Sequence, residues 1–326
     1  MSEADIDPVN APLILAIPSK GRLKEQVEGW LQDAGFRVES DGGDRGYRAS
    51  LRGLPGAEVR LLSAGDIASA LDAGEVHVGV TGEDLLREKG DDVDSRVMLL
   101  RALGIGRADL IVAAPQSWID VDSMADVDEV AHLYLARTGG RLRVATKYMV
   151  QTRAFFAAKG IADYRIVESN GATEGAPAAG AAELVVDITT TGATLAANNL
   201  KILSDGVILK SQAQLAASLK ASWTEGQLAQ VRRLLSASQA RGRAAALASL
   251  RWPAELDSSA QIATEPFVAA GATRQADGLL APTRVLMDVA AALAQARVGP
   301  VSVTRPDYVF EADCPEADAL RARVLA

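Results

Sequence analysis

The sequence predicts an α/β protein built on a mainly parallel sheet covered on both faces, and three observations carry that reading. Short apolar runs recur through the first two-thirds of the chain, and stretches of helical period separate them. Such alternation is the rhythm of βαβ units, whose crossover helices cover the sheet. Near residue 250 the rhythm breaks at Pro253, Pro266 and Gly271, so a small α+β domain is expected beyond it.

In order, the run 13–17 predicts the first strand and the periodic stretch 23–34 the first helix. Further strands are predicted at 59–62, 76–80, 97–103, 110–114, 142–145 and 184–188, with helices at 65–73, 82–89 and 147–159 between them. The polar stretch 115–128 suggests a crossing, giving a first lobe over 1–114 and a second over 115–199. A strand-like run at 200–209 returns the chain to the first lobe, which reclaims about 200–222. Residues 224–249, rich in alanine and arginine, predict one long connecting helix within the segment 223–249. The remainder, 250–326, holds a helical pattern at 282–296 and strand-like VSV and YVF segments. In open α/β sheets, ligands gather at the C-terminal ends of the strands.

Composition excludes several functions. With 326 residues the chain is long enough for two or three domains. Its net charge of -8 argues against a general nucleic-acid binder, so any phosphate site must be local. Cys314, the single cysteine, cannot form an intramolecular disulfide, and the two histidines are too far apart in sequence for a metal cluster. No run reaches the ~18–20 apolar residues needed to span a bilayer, and the acidic, polar segment 1–10 lacks signal-peptide character. A soluble cytoplasmic protein is expected.

The segment ELVVDITTTGATL, 183–195, carries the most chemistry. A buried apolar strand ends in an acid and opens into a threonine and glycine loop before a helix. Backbone amides of such a turn, a helix N-terminus and several hydroxyls can surround a phosphate. Gly192 permits the tight turn, and Asp187 at the strand end can accept hydrogen bonds from ribose hydroxyls. The same residues also suit an ordinary strand, turn and threonine cap.

This segment resembles the phosphoribosyl pyrophosphate (PRPP) loop of the ATP phosphoribosyltransferases. Four others agree in order: IPSKGRL at 17–23, GVTGEDLLRE at 79–88, RVATKYMVQTRAFFAAKG at 143–160 and SNGATEGAP at 169–177. Together they cover about residues 13–215. The resemblance implies two lobes like those of periplasmic binding proteins, with the active site in the cleft. It puts PRPP's 5′-phosphate on Thr189, Thr190, Thr191, Gly192, Ala193 and Thr194, with Asp187 near the ribose. Glu174 is implied as a second acid near PRPP, acting through the magnesium that accompanies the pyrophosphate; a first-turn glutamate facing a helix dipole is the plainer alternative. Mg2+ is thus the implied cofactor, held mainly by substrate.

Ser19, Lys20, Gly21 and Arg22 follow the first strand and read as a polyphosphate clamp or as a solvated basic turn. Asp187, Glu174 and Arg22 are the expected catalytic residues. Gly82, Glu83 and Asp84 are assigned to the nucleotide side, although acids at a helix start also serve as caps. Lys147 is expected to meet phosphate and Tyr148 to pack. His77, inside an apolar strand, reads as a hydrogen-bonded core residue, His132 has no motif around it, and Cys314 reads as inert. The implied activity is glycosyl transfer from PRPP to ATP in histidine biosynthesis. The implied partners are histidine as inhibitor and further copies of the chain, as a dimer or hexamer. A non-catalytic small-molecule binding or regulatory protein of the same fold is the competing reading, but it has no need of the threonine loop.

Overall fold

The computed structural model describes residues 11–40, 47–169, 171–276 and 278–325. The acidic segment 1–10 and Asn170 of the SNGATEGAP segment lie outside them. Among the described residues three sheets carry the fold.

The first lobe opens with β1 (Leu13–Pro18), α1 (Gly21–Asp33), the antiparallel pair β2 (Arg37–Ser40) and β3 (Arg48–Arg52), and β4 (Ala57–Leu62). It continues with α2 (Ala64–Ala73), β5 (Val78–Gly82), the short α3 (Glu83–Arg87) and β6 (Val97–Ala102). Leu13, Leu15 and Ile17 are fully buried, and β1 runs parallel to both β4 and β5 at the sheet centre. Local signals fix the helix ends: the Ser63 hydroxyl accepts the Asp66 amide at the start of α2, and Gly74 closes it at φ 85°.

The second lobe contains β7 (Ala108–Pro115), α4 (Met124–Thr138), β8 (Leu142–Thr146), α5 (Met149–Ala158), β9 (Tyr164–Glu168), β10 (Leu184–Thr189), α6 (Ala193–Ala197) and β11 (Leu200–Ser211). Its sheet runs β11-β7-β10-β8-β9, with β8, β9 and β10 mutually parallel. The expected lobe limits therefore move. β7 pairs with β10 and β11 and buries Leu110, Val112 and Ala114 in the second core, so the chain crosses at 103–107 instead of at 115. β11 stays in the second sheet by the same pairing, and only β12 (Ala213–Ser218) returns, between β5 and β6.

The long helix is α7 (Glu225–Ala245), opened by a capping box between Thr224 and Gln227. It ends earlier than its alanine-rich sequence suggests, because Leu247–Arg251 forms β13, paired on both sides in the third sheet. Around β13 lie α8 (Asp257–Ala269), β14 (Thr273–Gln275), β15 (Gly278–Pro282), α9 (Leu286–Gln295) and β16 (Ser302–Thr304). The expected VSV strand is there, but the YVF residues 308–310 are not a strand: they run along α7, where the Val309 amide donates to the Ala240 carbonyl. The chain then forms α10 (Pro315–Val324), which packs on α7 and β6 and adds Cys314, Ala317 and Leu320 to the first lobe's core. The third domain is thus an insertion whose entry and exit strands lie side by side, Ser249 opposite Thr304.

His77 is a core residue. Its Nδ1 accepts the Ile14 amide at 3.1 Å, so Nε2 carries the proton it shares with the Ser222 carbonyl at 3.1 Å. Burial lowers its pKa, outweighing the Ser222 bond that raises it. A depressed histidine pKa means that the unfolded chain binds the proton more readily. Stability should therefore be full above the unfolded value of about 6.5 and fall as pH drops from there through the folded value. Thermal melts across that window should show a steeper acid loss for the native chain than for His77→Gln; parallel curves would remove His77 as its source.

Candidate active site

The sequence-predicted residues follow the C-terminal ends of the parallel strands in both sheets. In the first lobe these ends lead into Ser19–Arg22 after β1 and Gly82–Asp84 after β5. In the second they lead into Lys147 after β8, the 171–175 turn after β9, and the threonine loop after β10.

The threonine loop folds as its sequence suggests. The Gly192 amide donates to the Thr189 hydroxyl at 2.9 Å, and Gly192 sits at φ 74°, turning the chain into α6. The Thr190 hydroxyl donates to the Arg107 carbonyl at 3.2 Å, tying the loop to the crossing segment. A cavity of about 360 Å³ lies against this loop, lined by Glu174, Asp187, Thr189, Thr190, Thr191 and Thr194 among others. Six of the sequence-predicted residues are thus brought together, and Gly192, the N-cap of α6, and Ala193, its first residue, adjoin them.

Burial pushes the Asp187 carboxyl above the usual aspartate range, and Glu174 adds to that shift. The Ile188 amide at 2.8 Å, Lys147 and the Thr173 hydroxyl oppose it. Asp187 is therefore a partly desolvated carboxylate facing an exposed lysine. Among the described residues no group of three or more His, Cys, Asp or Glu is arranged to hold a metal.

A second cavity of about 380 Å³ shares Ala108, Thr189 and Thr190 with the first and adds Arg107, Asp109, Lys210 and Gln212. Arg107 and Lys210 were not singled out by the sequence. They carry no motif, and only the β7–β11 register, with Lys210 opposite Asp109 and Ser211 opposite Ala108, brings them to the loop. That register was not readable from either segment alone.

Ser19, Lys20, Gly21 and Arg22 line neither cavity. Lys20 and Arg22 are exposed and unpaired among the described residues, and Gly21 takes φ 76° at the start of α1. Glu83 and Asp84, expected on the nucleotide side, both have partners within the protein. Glu83 is held by Arg87 and by the Gln214 side-chain amide at 2.9 Å. Asp84 is only 6% exposed; it accepts from the Ser211 hydroxyl at 2.7 Å and from the Tyr148 hydroxyl at 2.8 Å. Both carboxylate oxygens are engaged, so the acid fastens the lobes together. Tyr148 packs as expected and also donates this bond; burial and Asp84 push its phenol pKa well up. The fastening extends to Glu88, whose carboxylate accepts the Val150 and Gln151 amides at 2.8 and 3.2 Å. The first lobe thereby caps α5 of the second.

Known proteins resemble this chain in sequence and fold. Residues 63–239 match the family model described as ATP phosphoribosyltransferase. The ATP phosphoribosyltransferase of Caulobacter vibrioides (strain NA1000 / CB15N) is 68% identical over 320 residues, covering 97% of this chain and 100% of that protein. That of Rhodopseudomonas palustris (strain HaA2) is 46% identical over 325 residues, covering 96% and 99%. A chain of the ATP phosphoribosyl transferase (HisG:HisZ) complex from Thermotoga maritima matches with a TM-score of 0.54 and 26% identity, over 70% of this chain and 96% of that one. With a family model over more than half its length and near full-length relatives, this chain belongs to the ATP phosphoribosyltransferase family, a class of glycosyltransferase.

Proposed function

We propose that this enzyme condenses ATP with PRPP to give N1-(5-phosphoribosyl)-ATP and pyrophosphate, the first step of histidine biosynthesis. The observation that carries the reading is the threonine-lined cavity with Asp187 and Glu174 in its wall. Thr189–Thr194 surround the 5′-phosphate with hydroxyls and the amides that open α6. Asp187 faces the ribose, where its carboxylate offsets positive charge developing at the anomeric carbon as the C1–oxygen bond to pyrophosphate breaks and the bond from adenine N1 forms. Adenine N1 attacks through its lone pair, so no general base and no covalent enzyme intermediate are needed. Lys147, Arg107 and Lys210 supply cations near the departing or incoming phosphates. Glu174 and Asp187 are the acids in this cavity that would contact a magnesium ion brought in by the substrate, which would supply charge neutralisation at the leaving group. Lys20 and Arg22 remain candidates for the ATP polyphosphate, as free cations at a strand C-terminal end. Alignment of two anionic substrates accounts for most of the catalysis.

The test is direct. Pure protein mixed with ATP, PRPP and magnesium should generate the absorbance of phosphoribosyl-ATP. No product from folded protein would favour a non-catalytic binding protein. By its length and third domain the chain is of the long type, and we infer that histidine inhibits it and that it acts as a homo-oligomer.

Gly192→Val should remove PRPP binding while leaving the fold intact. A Cβ at Gly192 would meet only the Ile202 Cδ1 at 3.6 Å, an ordinary contact, so space is not the obstacle. The obstacle is φ 74°, which a β-branched residue does not tolerate; the loop must rearrange and its amides lose their aim. Calorimetric titration with PRPP checks this, and unchanged affinity would reduce the loop to a helix cap.

A further inference from the structure

We propose that a cavity outside the substrate cleft, where α1, β6 and the C-terminal end of α7 meet the returning segment 305–307, binds a small oxyanion. The cavity measures about 510 Å³, and Arg101, Arg241 and Arg305 line it. Arg241 is occupied: it donates to the Asp307 carbonyl at 3.2 Å and lies 3.8 Å from that residue's carboxylate. Arg101 and Arg305 make no hydrogen bond or ion pair among the described residues. Arg101 is half-buried, and its Nη2 stands 3.6 Å from where a Cβ of Gly242 would be, so the bare helix surface there leaves its guanidinium room.

An unpaired guanidinium that is partly withdrawn from water lacks donors' partners that a carboxylate or phosphate would supply, often in a two-pronged fit. Asp33, also on the wall, is exposed and has no cation within ion-pair distance. With Asp307 held by Arg241, the unmatched positive charge rests on Arg101 and Arg305. Trp30 and Leu103 add apolar surface for the body of an organic anion. The place matters as well. Arg101 lies on β6 just before the crossing at 103–107, and Arg305 begins the segment that leaves the third domain. An occupant held by both would join that exit to the strand leading into the cleft, where Arg107 lines the second cavity.

Hydrogen–deuterium exchange on the full chain, titrated separately with inorganic phosphate and with succinate, tests the proposal. At least one anion should slow exchange, saturably, in peptides covering 237–246 and 305–311, and the stronger of the two identifies the ligand as phosphate- or carboxylate-bearing. Arg101→Gln and Arg305→Gln should each weaken that response about tenfold or more, the loss of one charge-assisted contact. Any response of the 189–194 loop reports the substrate cleft separately and should survive both changes. Arg305 is exposed, so its variant reads the site even if Arg101→Gln perturbs folding. Absence of protection with both anions, or protection undiminished in folded Arg305→Gln, would overturn the assignment.

Discussion

Asp187→Asn is expected to lower kcat about a hundredfold or more, the scale on which a single preorganised electrostatic contact acts, while the KM for ATP stays within about twofold. The asparagine keeps the shape and the bond from the Ile188 amide but removes the charge. The carboxylate matters because of its surroundings: it is partly desolvated, so its interaction with a developing cation is weakly screened. Steady-state kinetics with both substrates varied separates the two effects, because a transition-state contact lowers kcat and kcat/KM together. Near-normal turnover in a folded variant would remove Asp187 from the active site and leave it a structural role at the end of β10.

The second large effect concerns the end of the chain. The break in pattern near residue 250 makes everything after it a separable unit by sequence, so that truncation there should spare the catalytic lobes. The structure reverses this expectation. Truncation after Arg251 would delete Cys314, Ala317 and Leu320, which are 0%, 6% and 0% exposed within the first lobe's core. Emptying one buried leucine site costs about 2–5 kcal/mol, and here a whole helix leaves α7 and β6 uncovered. That is comparable with the total stability of an ordinary domain. The truncated chain should be unfolded or insoluble. Excision of 247–304, with Ala246 rejoined to Arg305 through a short flexible linker, should instead keep the lobes folded and active, because the entry and exit strands are neighbours. If histidine acts through the third domain, the excised form should also lose its inhibition. Denaturant melts and turnover with and without histidine check both variants. A truncated chain as stable as the native one would refute the packing argument, and an excised form still inhibited would move the histidine site into the lobes.

The contrast shows what the sequence made legible. Strands such as β1, β8 and the first half of β10 are buried on both faces, so they read as continuous apolar runs whose limits the sequence places within a residue or two. The threonine loop was legible because acid, hydroxyls and glycine are contiguous. Features that depend on distant pairing were not. The residues of α10 and its N-cap that face the core, Cys314, Ala317 and Leu320, are a sparse stripe among charges, and only the grooves of α7 and β6 give it a partner. β13 continues an alanine-rich helical composition and becomes a strand because β15 and β16 flank it. Asp84 sits where an acid would cap a helix, and nothing local announces Tyr148 or Ser211 as its partners.

That last contact bears on how substrate is admitted. Proteins of two-lobed shape commonly swing about their crossing strands, and only part of their population is ready to bind at a given moment. Here an opening rotation would strip the first amides of α5 of Glu88 and leave the buried Asp84 without its tyrosine, at about 1–3 kcal/mol for each unsatisfied group. An open form would consequently be rare, and the measured affinity for PRPP should be close to the intrinsic affinity of the closed jaws, with no discount for waiting. Tyr148→Phe would unlatch them, leave every substrate-facing residue in place, and reintroduce that discount as a slower, weaker capture of PRPP.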